Sequence, residues 1–243
     1  MDDQAILKDL VDVSMRVAQL GFVVAAEGNT SARGSSPGEF WIKRSGCGLV
    51  DVEESDFIKM DVARASADPQ RAESALLFRE NDRFKASIEA PMHATIYSHD
   101  DGINFVIHTH SPSTLAGCCT ENFREFFVPQ FPDSVVCLGT PSGNWAFLDY
   151  APPGPVIATA LAGALGEVKN DLRVVILQNH GPITVGKTAY EAISRAQILE
   201  KSSYVRLMSM ISGRPTTLDP ADVEYLENQE AEKYRQRVMK GEI

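Results

Sequence analysis

The hydrophobic pattern at the start of the chain is helical. Apolar side chains recur every three or four positions between residues 4 and 20, which is the spacing of one face of an amphipathic helix. These positions are Ile6, Leu10, Val13, Val17 and Leu20. The helix is expected to end at Gly21, and a second helix is predicted for residues 89–98.

Helix-start signals mark the last third of the chain. The sequence from Thr188 to Glu191 is a capping box, in which the threonine and the glutamate three positions later satisfy each other's backbone N–H groups. It predicts a long helix that ends near Ile211. Asp219 followed by Pro220 combines an N-cap with a proline at the first helical position, and so predicts a last helix.

Short apolar runs between these helices predict β-strands. They are residues 40–43, 105–107, 135–138 and 174–177. Two stretches rich in Gly and Ser, residues 27–36 and 45–48, are predicted to be loops on either side of the first strand. Helices around a central set of mostly apolar strands indicate an α/β fold. We expect one domain over residues 1–243, with a helical C-terminal tail from about residue 214.

Composition narrows the class of protein. The chain has 243 residues with 23 basic and 33 acidic side chains, a formal charge of −10, and it has no block of Lys or Arg. Nucleic-acid binding needs a basic surface to displace counterions, so no nucleic-acid partner is expected. No signal peptide or membrane span is predicted. The four cysteines form no CxxC pair, which favours reduced thiols and a cytoplasmic location.

His108 and His110 are the first candidates for chemistry. They follow the apolar run of residues 105–107, and side chains two positions apart on a strand point to the same face. Both imidazoles can therefore reach one metal ion, as in zinc sites with three protein ligands and one open position. The alternative, two histidines packed against polar partners at the end of a strand, is left open by the pair alone.

His180 strengthens the metal hypothesis. It closely follows the strand predicted for residues 174–177, and Gly181 behind it permits a sharp turn. The ends of neighbouring strands are where open α/β sheets place ligands. A single core or loop histidine would be the simpler interpretation of His180 without the pair. His93 is interpreted as a packing or hydrogen-bonding residue, and His99 as exposed.

Glu89 is the fourth candidate. It opens the helix predicted for residues 89–98, where a carboxylate can act as a cap stabilised by the helix dipole. It can instead be a metal ligand or a general base beside the histidines. The Gly28–Ser31 and Ser45–Gly46 stretches supply N–H groups and hydroxyls suited to an anion, although they match neither nucleotide-binding fingerprint.

In order along the chain, these motifs resemble the class II aldolase/adducin family, which includes fuculose-phosphate aldolases and ribulose-phosphate 4-epimerases. The segments that carry the resemblance lie between about residue 5 and residue 210. They are residues 28–33, 43–46, 87–93, 108–111, 179–181 and 185–188. The resemblance implies a three-layer α/β/α fold with a central, mostly antiparallel sheet. It also implies a homotetramer with active sites at subunit interfaces.

The resemblance also implies a site. His108, His110 and His180 would hold a divalent metal, usually Zn²⁺ and otherwise Mn²⁺ or Co²⁺, and Glu89 would complete the coordination or act as acid and base. The metal would bind the oxygens of a small, anionic sugar phosphate and stabilise the enediolate formed on C–C cleavage. The positions that match the anion-binding residues of the family, together with a basic neighbour, are Asn29, Arg44, Ser45, Gly46 and Ser87.

Three features depart from the family pattern. Ile88 stands where a second small hydroxyl residue is common, and Arg44 stands where Pro or Thr is common. Residues 126–131 contain no tyrosine, although the aldolases use a tyrosine from a neighbouring subunit as proton donor. The tyrosines near the C-terminus, which could donate a proton but more simply have surface or packing roles, are Tyr204, Tyr225 and Tyr234.

The leading prediction is a metal-dependent lyase of carbohydrate metabolism that performs aldol cleavage of a small ketose phosphate. The alternatives are a decarboxylase of a keto, aromatic or sugar acid, which would use the same metal and which Ile88 and Arg44 favour slightly, and a dehydratase or 4-epimerase. A non-catalytic adducin-like module is less favoured because all three histidines and Glu89 are present. An unrelated hydrolase is disfavoured because the chain has no HxHxDH pattern.

Overall fold

The computed structural model describes residues 2–239, and its centre is an eight-stranded sheet. The strands are β1 (Asn29–Arg33), β2 (Glu39–Lys43), β3 (Phe57–Asp61), β4 (Leu76–Phe78), β5 (Phe105–His108), β6 (Trp145–Leu148), β7 (Val174–Leu177) and β8 (Gly181–Gly186). Their order across the sheet is β4-β3-β2-β1-β5-β8-β7-β6. Only the β6–β7 pair among these strands is parallel, so the mostly antiparallel sheet is confirmed.

Helices cover both faces of the sheet. They are α1 (Asp3–Gln19), α2 (Val62–Ala67), α3 (Ala90–His99), α4 (Pro112–Cys118), α5 (Phe123–Phe126), α6 (Pro132–Leu138), α7 (Pro155–Leu165), α8 (Ala189–Ser212), α9 (Pro220–Asn228) and α10 (Glu230–Met239). Two short 3₁₀ helices, Glu54–Asp56 and Pro69–Ala75, precede β3 and β4. Within residues 2–239, none of the helices has the length and apolar character to cross a membrane.

The alternation of side chains along the strands divides the core into layers. In β2, Phe40 and Ile42 pack with α2, α3 and α7, whereas Trp41 between them packs with α1 on the opposite face. In β7, Val175 joins the first of these clusters, and Ile176 faces a third cluster with α5, α6 and α8. The sheet is thus buried on both sides, and the three-layer α/β/α fold is confirmed.

The predicted helix starts are present. The Thr188 hydroxyl accepts a hydrogen bond from the Glu191 N–H, and Asp219 caps α9 in the same way through the Ala221 N–H. The helix predicted over residues 4–20 is α1, whose first turn is capped by Asp2. All four cysteines are free thiols, as expected.

Two predictions of secondary structure were wrong. Residues 135–138 belong to α6 rather than to a strand, because Pro132 opens a helix whose last four side chains are all buried. Part of the stretch predicted as a loop over residues 27–36 is β1, which pairs with β2 and β5 in the middle of the sheet. Its hydroxyls are buried because they have partners, Ser31 with His93 at 2.6 Å being one.

Candidate metal centre

His108 is the last residue of β5, between β1 and β8, and its side chain is fully buried. Its Nδ1 atom lies 2.9 Å from the carbonyl oxygen of Pro182. A carbonyl only accepts hydrogen bonds, so Nδ1 carries the proton and Nε2 presents a lone pair. Burial lowers the pKa of His108 to about 4, despite the nearby carboxylate of Glu89, so the ring is neutral at physiological pH.

His110 lies just beyond the end of β5. Its Nδ1 atom is 3.0 Å from Oε2 of Glu27, a carboxylate that likewise accepts the Nδ1 proton. The two Nε2 atoms of His108 and His110 lie 3.2 Å apart. Two lone pairs that face each other at this distance repel unless a positive charge lies close to both.

His180 lies in the turn between β7 and β8. The turn is tight, because Asn179 and Gly181 both have positive φ angles and a Cβ atom on Gly181 would lie 2.5 Å from the Thr109 carbonyl oxygen. The turn brings the His180 ring against His108 and His110, so that one ring nitrogen of each histidine lies within 4.8 Å of the others. Nδ1 of His180 is buried and has no hydrogen-bond partner.

Glu89 completes the cluster. It precedes α3, but its carboxylate makes no capping hydrogen bond. Instead Oε1 lies 3.2 Å from Nε2 of His180, and Oε2 lies 3.6 Å from Nε2 of His108 and 2.6 Å from Nδ2 of Asn29. Burial works to raise the pKa of Glu89, but His108, His180 and Asn29 together hold it well below the usual glutamate range. The carboxylate is therefore ionised and points at the histidines rather than at the helix.

The donor set fits a divalent metal ion. Three imidazoles and one carboxylate are ligands that zinc and similar ions prefer. The facing lone pairs of His108 and His110, together with the ionised Glu89 carboxylate that reaches both His108 and His180, favour a cation in their midst. The four sequence candidates for the metal are thus brought together by the fold.

Only some of the candidates for anion binding lie beside the histidine cluster. Nδ2 of Asn29 lies 3.4 Å from Oγ of Ser87 as well as next to Glu89, so these two residues border the cluster. Ser45 and Gly46 form the turn after β2, where the Ser45 N–H donates to the carbonyl of Lys85. Gly46 has a φ of +73°.

Arg44 is engaged elsewhere. Its guanidinium group lies 2.5 Å from the Asp56 carboxylate and stacks over the ring of Phe84. Ile88, next to Ser87, exposes 62% of its surface. Of the three departures from the family pattern, Ile88 thus leaves an apolar side chain at the surface next to Ser87, and Arg44 carries a charge already paired with a carboxylate.

Sequence reasoning gave no role to two residues that support the site, Glu27 by a direct bond and Lys43 through the adjoining loops. Glu27 binds His110, which lies 83 positions later in the chain, and no local sequence pattern predicts such a contact. Lys43 is 2% exposed, and its amine donates to the carbonyl oxygens of Ala26 and Cys47, at 2.9 and 2.6 Å. Burial lowers the pKa of Lys43. The Lys43 side chain thereby joins the loop that contains Glu27 to the turn that contains Gly46.

The other two histidines lie where they were expected. His93 is fully buried and bonded to the Ser31 hydroxyl, and His99 is exposed at the end of α3.

Known proteins resemble this chain in sequence and in fold. An L-fuculose phosphate aldolase of Methanococcus maripaludis is 32% identical over 117 residues, which cover 48% of this chain and 58% of that protein. An L-ribulose-5-phosphate 4-epimerase of Salmonella paratyphi B is 24% identical over 238 residues, with 93% of this chain and 92% of that protein covered. The solved structure of an L-fuculose 1-phosphate aldolase from Glaciozyma antarctica superimposes with a TM-score of 0.74 at 20% identity, over 98% of this chain and 90% of that one.

Residues 8–207 match the family described as Class II Aldolase and Adducin N-terminal domain. This segment includes the whole sheet, all three histidines of the cluster and Glu89. The chain therefore belongs to the class II aldolase and adducin family.

Proposed function

We propose that this member of the family is a divalent-metal-dependent carbon–carbon lyase that performs aldol cleavage of a small ketose phosphate. The observation that carries the proposal is the convergence of His108, His110, His180 and Glu89 at one end of the central strands. A divalent ion held by these residues, zinc in the first instance, supplies Lewis acidity toward the carbonyl and hydroxyl oxygens of a substrate.

The residues of the chain itself would divide the remaining work. The ionised carboxylate of Glu89 would take up a proton and return it, and the Asn29 amide, which donates to this carboxylate, would orient it. Asn29, Ser45, Gly46 and Ser87 would bind the phosphate through neutral donors. Arg44 is the weaker candidate for the anion, because its guanidinium group is already paired with Asp56.

A decarboxylase of a small carboxylic acid is the second candidate. It is favoured by the exposed Ile88 side chain beside Ser87 and by the pairing of Arg44 with Asp56, since both reduce what the site offers to a phosphate. A 4-epimerase is compatible with the same donor set. We further propose a homotetramer, in which a neighbouring subunit supplies the proton donor absent from residues 126–131.

Metal analysis and a substrate panel test the proposal. Purified protein is expected to hold a divalent ion, and the His108→Ala and His180→Ala variants to lose both the ion and turnover. His99→Ala, at an exposed histidine outside the cluster, is the matched control and should retain both. A wild-type protein that holds no ion and gains no activity with zinc, manganese or cobalt would exclude the enzyme.

Product analysis separates the reactions. Release of a small aldehyde from ketose phosphates is expected of the aldolase, whereas release of carbon dioxide from keto acids would establish the decarboxylase instead. Equal turnover of phosphorylated and unphosphorylated ketoses would refute the phosphate assignment of Asn29, Ser45 and Ser87.

A further inference from the structure

Glu27 is bonded to the metal-centre candidate from outside the cluster. Its Oε2 atom lies 3.0 Å from Nδ1 of His110, and its Oε1 atom accepts the N–H of Val24 at 2.6 Å. The carboxylate thus joins the loop between α1 and β1 to a ring that stands beyond the end of β5. Two-thirds of its side-chain surface is covered, with 33% exposed.

The loop that carries Glu27 is held from several sides. Its backbone is strained, because Ala25 has a φ of +55° without being a glycine. The Lys43 amine donates to the Ala26 carbonyl oxygen at 2.9 Å. The His110 N–H donates to the Phe22 carbonyl oxygen at 3.0 Å, so the loop and the histidine are also joined through the backbone. Strain of this kind persists only where the surroundings determine the conformation.

The position of Glu27 excludes direct ligation to the ion shared by the three histidines. Its carboxylate lies on the Nδ1 side of the His110 ring, whereas Nε2, on the opposite side, faces His108. What the carboxylate does is accept the Nδ1 proton, which leaves Nε2 without a proton and fixes the plane of the ring. Carboxylates that bind the outer nitrogen of a ligating histidine raise its basicity and orient it.

We propose that Glu27 is a positioning residue of the metal centre, which holds His110 in the tautomer and orientation that present Nε2 to the ion. This inference rests on the proposed function, since it requires that His110 be a ligand. The Nδ1 proton of His108 is accepted by the Pro182 carbonyl oxygen, a neutral group within the sheet. His110 lies beyond the end of β5, and the Glu27 carboxylate accepts its Nδ1 proton instead.

The test compares metal affinity and ligand geometry in matched variants. Glu27→Ala removes both acceptors, Glu27→Gln keeps one neutral acceptor, and Glu54→Gln makes the same charge change at an exposed position. Dissociation constants for Zn²⁺ and Co²⁺ are measured by competition with a chromophoric chelator. Glu27→Ala is expected to bind roughly 10- to 100-fold more weakly, Glu27→Gln to fall between it and the wild type, and Glu54→Gln to match the wild type.

The absorption bands of the Co²⁺ form provide the second readout. A change in the orientation of His110 shifts these bands, whereas a loss of loop stability alone lowers the unfolding temperature of the metal-free protein and leaves the bands unchanged. If Glu27→Ala does not fold, the shift of the Co²⁺ bands and the metal affinity of Glu27→Gln test the role of Glu27. Wild-type affinity and unchanged bands in the Glu27 variants would refute the role of Glu27 while the metal site stands. A wild type that binds neither ion would refute the proposed function itself.

Discussion

Oε1 of Glu89 lies 3.2 Å from Nε2 of His180, although one residue precedes α3 and the other occupies the turn between β7 and β8. The contact joins the helix layer to the sheet at the site. It also brings an ionised carboxylate against the histidine cluster.

Replacement of Glu89 by Gln tests whether this carboxylate acts on protons. The three histidines are expected to retain the ion, with somewhat weaker affinity. Turnover should fall by about 10²- to 10⁴-fold, the usual contribution of a general acid or base. Metal content and kcat are measured on the same preparation. Turnover within tenfold of the wild type, with the ion present, would show that Glu89 has no role in proton transfer.

Replacement of Gly28 by Ala is expected to disturb both folding and the site. Gly28 has a φ of +64°, and an added Cβ would lie 2.9 Å from the backbone carbonyl oxygen of His108. Since a backbone atom cannot move aside like a side chain, the cost should be about 3 kcal/mol or more in the free energy of unfolding. Urea unfolding of the metal-free protein measures this cost.

Gly46→Ala is the matched control for Gly28→Ala. Gly46 has a similar φ of +73°, but an added Cβ there meets nothing within 4 Å. Its cost should be confined to the left-handed backbone, about 1–2 kcal/mol. If both variants lost the same free energy of unfolding, the contact between the added Cβ and the His108 carbonyl oxygen would have no part in the cost.

Glu200 is expected to stabilise the segment that follows His110. From α8, its carboxylate accepts hydrogen bonds from the N–H groups of Ser113 and Thr114 and from the Thr114 hydroxyl, all in the first turn of α4. Glu200→Ala should lower the free energy of unfolding by about 1–2 kcal/mol. Glu227→Ala, at an exposed position of α9, should leave it nearly unchanged. Chemical denaturation measures both, and equal effects would contradict the capping role.

Stability should fall in acid partly because of His93. Burial lowers its pKa to about 3, and the opposing effect of the Glu89 charge is smaller. Above about pH 6.5 the ring is neutral in both the folded and the unfolded chain, so it has no effect there. Below that pH the unfolded chain binds a proton that the folded protein excludes until about pH 3. Proton binding to the unfolded chain therefore lowers the free energy of unfolding as pH falls, by up to about 1.4 kcal/mol per pH unit.

His93→Asn isolates this contribution. The amide retains a hydrogen-bonding group for Ser31 but does not titrate. Free energies of unfolding of the metal-free proteins are compared between about pH 7 and about pH 5. The wild type should lose stability more steeply than the variant, because residue 93 titrates only in the wild type, whereas His108 and the carboxylates titrate in both. Parallel curves would mean that His93 is protonated in the folded protein.

The sequence predicted the metal candidates because each lies at a strand or helix boundary that is visible in the pattern. His108 and His110 follow an apolar strand, His180 follows another, and Glu89 opens a helix. Their convergence then follows from the pairing of β5 with β8 and from the packing of α3 on the sheet. Local sequence patterns can therefore predict site residues that lie directly at the boundary of a helix or strand.

Other features depend on contacts that no local pattern records. The run from Val135 to Leu138 is too short for its period to distinguish a buried helix from a buried strand. Residues 29–33 have the composition of a loop, and only partners on α1 and α3 make their hydroxyls acceptable in a central strand. Glu27 binds His110 only after folding has brought distant loops together.

The two hydrogen bonds of Lys43 make this side chain an internal reporter of loop motion. While its amine bridges the carbonyls of Ala26 and Cys47, amine-reactive reagents cannot reach it, whereas the exposed Lys201 reacts freely. Labelling of Lys43 therefore requires the loop with Ala26 or the loop with Cys47 to move away from its amine. The rate of labelling then measures how often this opening occurs. A small molecule that settles against either loop would slow the labelling of an amine that it never touches.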